Sequence, residues 1–136
     1  MNDAERVSRR WFEEGWNAGD EGVFRELAAS EVEAVLATGT IDDLETFLEF
    51  RRELLAALPD LEVTVEDVLS GEGRTAVLWR LRAHHTGQGF GLAPTGKEVD
   101  VRGTTWQRVR DGKVVSGIDC WDLGGLLDRL RSEAGG

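Results

Sequence analysis

The stretch from Val99 to Asp122, VDVRGTTWQRVRDGKVVSGIDCWD, constrains this chain more than any other. On either side of Arg110-Asp111-Gly112-Lys113, residues rich in Val, Thr and Trp alternate with polar ones. Alternation sends successive side chains to opposite faces of a strand, and Asp-Gly accepts the left-handed backbone that a tight hairpin needs. Two paired strands are therefore predicted. In the first, Val99, Val101, Gly103, Thr105, Gln107 and Val109 share one face, while Asp100, Arg102, Thr104, Trp106 and Arg108 share the other. In the second, Val115, Gly117, Asp119 and Trp121 lie together. Asp119 is the residue to explain, because it stands among Ile118, Cys120 and Trp121 and a carboxylate buried without a partner is costly.

The preceding segment has the same grammar. Leu61, Val63 and Val65 alternate with Glu62, Thr64 and Glu66, and Gly71-Glu72-Gly73 turns the chain. Thr75, Val77, Trp79, Leu81, Ala83 and His85 then share a face opposite Arg80, Arg82 and His84. This makes His85 a candidate pocket residue beside Trp79 and sends His84 to solvent. The loop TGQGFGLAPTG, residues 86–96, is rich in glycine but leads into a strand and lacks the Gly-Lys-Ser/Thr ending of a phosphate cradle. It reads as a rim or lid.

Helices dominate the first half. Asp3 can cap a helix running to about Ala18, with Val7, Trp11 and Ala18 near one face. Gly19 breaks it, and Asp20 can cap a short helix holding Val23, Phe24, Leu27 and Ala28. EVEAVLA, residues 31–37, suggests a short strand. Thr40 and Asp43 mark the start of a longer helix with an apolar stripe of Leu44, Phe47, Leu48, Leu54, Leu55 and Leu58, stopped by Pro59. Asp122 can cap a C-terminal helix carrying Leu123, Leu126, Leu127 and Leu130. The order predicts one α+β domain over residues 1–136. Helices cover one face of a curved antiparallel sheet, a four-strand meander, with a ligand cavity at the open end.

Composition removes several classes of function. A net charge of −10, from 26 acidic and 16 basic residues, opposes binding to nucleic acid or an anionic membrane. No apolar run approaches the roughly 20 residues of a membrane span, and the polar start MNDAERVSRR lacks the apolar core of a signal peptide. A cytoplasmic location is expected. Cys120 is the single cysteine, so no intrachain disulfide can form, and it reads as a small buried hydrophobe. His84 and His85 are adjacent on a strand and point apart, which argues against a shared metal ion.

Several local pieces together carry a family resemblance: Trp16-Asn17-Ala18-Gly19-Asp20, Pro59-Asp60-Leu61, His85-Thr86-Gly87, Pro94-Thr95-Gly96, Arg102-Gly103, Asp111-Gly112-Lys113, Asp119 and Trp121-Asp122. Over nearly its whole length the chain resembles the SnoaL-like branch of the NTF2-like superfamily. The resemblance implies a cone-shaped α+β fold, a small apolar, polyketide-like ligand, and pairing of two copies through the sheet. It also implies a cyclase or isomerase that needs no metal or organic cofactor, with Asp119 as the acid–base group. Trp79, His85, Thr105, Gln107 and Trp121 would line the substrate site. Two histidines of the family pattern fall on Thr105 and near Ala34 in this chain.

The fold hosts many chemistries, so other readings stand beside the cyclase. One is a hydrolase or dehydratase in which Asp119 activates water. An epoxide hydrolase would need two acids and an arginine, and Asp100 and Arg102 are of the right types but lie on the opposite face from Asp119. Another is a non-catalytic binding or assembly domain, favoured by the two absent histidines. Trp106, between Arg102 and Arg108, is a candidate for the subunit contact.

Overall fold

The computed structural model describes residues 2–134. Its centre is a curved, unclosed six-stranded sheet in the order β2-β1-β6-β5-β4-β3. The strands are β1 (Ala28–Leu36), β2 (Gly39–Ile41), β3 (Glu62–Gly71), β4 (Arg74–His84), β5 (Glu98–Arg110) and β6 (Lys113–Cys120). The helices are α1 (Asp3–Arg9), α2 (Gly22–Leu27), α3 (Leu44–Ala57) and α4 (Leu123–Ala134). No described helix is long and apolar enough to cross a membrane.

The expected meander is present as β3 to β6, antiparallel throughout. It is not the whole sheet. The ambiguous segment near Glu31 extends to nine residues as β1, which pairs in parallel with β6 and forms a short hairpin with β2. Parallel pairing of strands so far apart in sequence leaves no local signature, since no turn joins them. The hairpin turn after β5 is as expected: Asp111 and Gly112 have φ of 52° and 74°, the pair of left-handed residues of a type I′ turn.

The inner faces of β4 and β5 follow the alternation. Thr75, Val77, Trp79, Leu81 and Ala83 are buried, as are Val99, Gly103, Thr105, Gln107 and Val109. β6 differs in one respect. The register with β5 shifts between the pairs Arg108–Ser116 and Val109–Val114, so Val115 is an extra residue in a bulge. Val114, not Val115, therefore points inward, at 1% exposure. Gly117 and Asp119 beyond the bulge keep the inward face, where both line a cavity.

Helix starts also depart in detail from the sequence reading. Asn2, rather than Asp3, caps α1 by accepting from the Glu5 N–H at 2.8 Å. Asp43, not Thr40, caps α3 through the Thr46 N–H. Asp122 accepts from the Gly125 N–H at 2.8 Å at the start of α4. The first helix does not continue regularly to Ala18. Residues Arg10–Gly15 form a π-helical segment. A π turn hydrogen-bonds five residues apart, which brings Trp16 to the side of Trp11 where an ordinary helix would splay them, and both rings pack on Phe24 and Phe47. Arg51 of α3, at 2% exposure, closes this segment: its Nη2 donates to the Gly15 and Ala18 carbonyls at 3.1 and 2.8 Å. Cys120, expected in the core, is exposed on the outer face.

Candidate active site

The inner face of the sheet and the helices lying over it enclose a cavity with two lobes. The larger encloses about 400 Å³, its open mouth included. Its helical wall is aromatic: Trp11, Phe12 and Trp16 from the first helical stretch, Phe47 and Phe50 from α3. Its sheet wall carries Trp79, Leu81 and Trp121. The second lobe is aliphatic, lined by residues such as Val32, Leu36, Ile41 and Leu44, with Gln107 as a polar member. Trp11, Phe47, Thr105 and Asp119 belong to both lobes. Trp11 and Phe47, with ring centroids 5.3 Å apart, form the partition, and Asp119 stands at the junction.

Asp119 sits directly opposite Thr105 across the β5–β6 pair. Its Oδ1 accepts from the Thr105 hydroxyl at 2.8 Å, and Thr105 Oγ1 accepts from the Trp79 indole N–H at 2.9 Å. Among the described residues no cation pairs with the carboxylate, and no other titratable side chain lines either lobe. Burial disfavours its charged form more than the Thr105 bond favours it, so its pKa is pushed up to about 6. Asp119 nonetheless keeps partial contact with solvent, enough for a proton to leave or arrive.

Gln107 is oriented by a separate buried chain. Ser8 Oγ donates to Gln107 Oε1 at 2.7 Å. A hydroxyl has one hydrogen, so Ser8 must accept from Thr75, whose Oγ1 lies 2.7 Å away. With its oxygen engaged, Gln107 offers its amide nitrogen as the donor to a ligand in the second lobe.

The residues singled out in the sequence are thus divided. Trp79, Thr105, Asp119 and Trp121 meet in the larger lobe, and Gln107 joins Thr105 and Asp119 in the smaller. His85 lies elsewhere. It is fully buried in an apolar cleft against Leu54, Leu58, Phe90 and the leucines of α4. Its Nδ1 accepts from the Thr95 backbone N–H at 3.3 Å and lies 2.9 Å from Thr95 Oγ1, while its carbonyl accepts from Thr95 and Gly96. His85 continues the face of Trp79 but lies just past the end of β4, where it anchors the following loop rather than reaching Asp119. Asp100 and Arg102 point outward, as parity required, and pair with Arg80 and Glu66. His84 is exposed and pairs with Asp60. Among the described residues no cluster of His, Cys, Asp and Glu could hold a metal ion.

Sequence reasoning did not assign the aromatic helical wall to the site. The π turn hides Trp16, Phe47 reads as part of the apolar stripe of α3, and Phe50 lies outside that stripe. Ala34 and Thr105 both line the smaller lobe, one with a methyl group and the other with a hydroxyl.

Comparison with known proteins places this site in context. A search of curated proteins returned no match. Among solved structures, a protein of Jannaschia sp. CCS1 assigned as a SnoaL-like polyketide cyclase is 27% identical, with a TM-score of 0.85 over 94% of this chain and 91% of that one. AclR of Streptomyces galilaeus, assigned as a hydroxylase, is 26% identical, with a TM-score of 0.81 over 96% of this chain and 83% of that one. IdmH of Streptomyces antibioticus, assigned as a polyketide cyclase, is 24% identical and shares the fold, with a TM-score of 0.79 over 96% of this chain and 99% of that one. The family model for the SnoaL-like polyketide cyclases matches residues 6–130, which takes in all six strands, α2 and α3 and part of α1 and α4. The chain, with its NTF2-like cone and its carboxylate at the junction of two apolar lobes, belongs to the SnoaL-like polyketide cyclase family.

Proposed function

We propose that this protein binds a small, largely apolar, polyketide-like molecule in the two-lobed cavity and acts on it by acid–base catalysis at Asp119, as a cyclase or isomerase. The observation that carries the reading is the isolation of Asp119. It is a carboxylate without a cation, between apolar walls, with its pKa pushed up to about 6. Such a group holds and releases a proton near neutral pH, which is what a single acid–base residue must do.

In a ring closure Asp119 would take a proton from a carbon beside a carbonyl, leaving an enolate. The enolate carbon would attack a second carbonyl of the same molecule, forming a carbon–carbon bond. The electron pair of that C=O would move to its oxygen, which would take the proton back from Asp119. The step is redox-neutral and draws on the chain's own side chains. Trp79 and Trp121, edge to face with centroids 5.7 Å apart, offer aromatic surface to a flat ligand, and the Gln107 amide offers a donor to a carbonyl.

Deuterium uptake from D2O beside the carbonyl of α-tetralone, a flat aromatic ketone with slow exchange of its own, tests the reading. Uptake accelerated by the wild type and lost in Asp119→Asn supports it; uptake that survives removes Asp119 from the chemistry. Quenching of tryptophan fluorescence by the ketone without any uptake would favour the rival reading, a binding or assembly domain. That reading has its own support, since neither lobe carries a histidine or a cation beside the acid. For a water-activating epoxide hydrolase, no second acid among the described residues lines the cavity.

The same proposal includes a homodimer formed through the outer face of the sheet. Leu69, Ala76, Trp106, Ile118 and Val35 are successive cross-strand partners, so they form one apolar row across five strands. Leu69 is 69% exposed and Trp106 is 55% exposed. A second copy laid on this row would bury it. Sedimentation of the wild type as a dimer and of Trp106→Glu as a monomer would support this pairing, and a monomeric wild type would end it.

A further inference from the structure

The sequence pairs Arg102 with Gly103, and the acid–base reading of Asp119 gives Gly103 no role. Its position supplies one. Gly103 lies directly opposite Trp79 across the β4–β5 pair, and Thr105, two residues on, lies opposite Asp119. A methyl group on Gly103 would sit 2.4 Å from Trp79 Cζ2, 2.6 Å from Cη2 and 2.8 Å from Trp121 Cβ. The absence of a side chain is what lets the Trp79 ring lie over β5, and from there Nε1 reaches Thr105 Oγ1 at 2.9 Å.

That contact has a direction. An indole N–H can only donate, so Thr105 Oγ1 must accept from it. Thr105 has one hydroxyl hydrogen, and its partner is Asp119 Oδ1 at 2.8 Å. Were the proton on Oδ1, Thr105 Oγ1 would have to accept a second bond beside that of the indole N–H and turn its own hydrogen away from Asp119, so that hydrogen would lose its partner. We propose that Gly103, Trp79 and Thr105 act as positioning residues that hold Asp119 Oδ1 as a permanent acceptor, so that Oδ2 alone takes and gives the exchanging proton. Its catalytic consequence rests on the reading of Asp119 as the acid–base group; the direction of the hydrogen bonds does not.

Confining the proton to one oxygen removes an alternative. A free carboxyl can be protonated on either oxygen, and half of those states would aim the proton at β5 rather than at the ligand. The Thr105 bond also stabilises the carboxylate against the burial that raises its pKa. Among the described residues no other charged or titratable group lines either lobe to blur that balance.

The test is a titration of the Asp119 carboxyl carbon by NMR, with Asp119→Asn identifying the signal. Thr105→Val, which keeps the shape and removes the donor, should raise the pKa by roughly one unit, the equivalent of a hydrogen bond to a charged group. Trp79→Phe should raise it by less, because the released hydroxyl can then accept from a protonated Oδ1. Gly103→Ala, which displaces the ring instead of removing it, should move it in the same direction. Thr105→Ser should restore the wild-type value, which a role in packing alone would not explain. An elevated wild-type pKa that Thr105→Val and Trp79→Phe both leave unchanged overturns the directional chain and spares the acid–base reading. An ordinary wild-type pKa removes the acid–base reading, while an upward shift in the variants would still support the chain.

Discussion

Asp119 and Asp100 are the same residue type on adjacent strands of one sheet, on opposite faces, and their proton affinities move in opposite directions. On the outer face Asp100 receives the Arg80 guanidinium through two bonds of 2.7 and 2.5 Å, which hold its carboxyl below the usual range. On the inner face Asp119 has one hydroxyl and tryptophans, and burial pushes it up to about 6. Strand parity decides which face a carboxylate occupies. The company on that face decides whether it is a fixed charge or a proton carrier.

The largest test of this contrast is in turnover. Asp119→Asn should lower turnover of the native substrate by about 10²–10⁴-fold, the usual contribution of a positioned acid or base, and leave binding within a few-fold. Asp100→Asn should leave turnover unchanged. Equal losses from the two variants, read in one steady-state assay, would break the contrast.

Stability against pH should separate the two carboxylates next. Asp119 has a raised folded-state pKa, so the folded protein binds more protons than the unfolded one between the ordinary 3.8 and about 6. Its contribution is therefore present below that window and lost as pH rises through it. Against the Asp119→Asn variant the wild type should lose about 2 kcal/mol between pH 4 and 7 in urea unfolding, from 1.36 kcal/mol per pKa unit over the part of the shift that falls within that range. Asp100, with a lowered pKa, has the opposite sign: its contribution is present above the ordinary carboxylate range and fades as pH falls through the lowered value. A wild type and Asp119→Asn with parallel pH profiles would show that burial does not govern this group.

Gly103→Ala comes third. Crowding Trp79 and Trp121 should cost about 1–3 kcal/mol by the usual penalty for overfilling a packed interior, with a changed near-ultraviolet signal from the tryptophans. The smallest effect should be that of Asp100→Asn on stability, close to the scatter of the unfolding measurement, because exposed ion pairs contribute little. A larger loss there would mean that the outer face is covered in solution.

Much of this site was legible in the alternation of a few strands. Parity assigned Trp79, Thr105, Gln107 and Asp119 to the inner face and Asp100, Arg102 and His84 to the outer one, and the structure has them there. Parity says nothing about distance along a strand, which is why His85 continues the face of Trp79 and yet belongs to another cleft. Nor does it survive an inserted residue: Val115 was placed inward and Val114 takes that position, because the bulge restarts the count. Helical periodicity failed in the same way at Trp16, where the π turn changes the number of residues between side chains that lie side by side.

The sequence by itself determined the α+β order, the hairpin turns, the faces of the central strands and the family to which they belong. These are local or periodic properties, written in residues that are neighbours in the chain. The parallel pairing of β1 with β6, the partition of the cavity by Trp11 and Phe47, and the reach of Trp79 over Gly103 to Thr105 were decided only by the tertiary structure. Each brings together residues from separate segments. So does the proton affinity of Asp119, since desolvation depends on everything that surrounds a group and not on its neighbours in sequence.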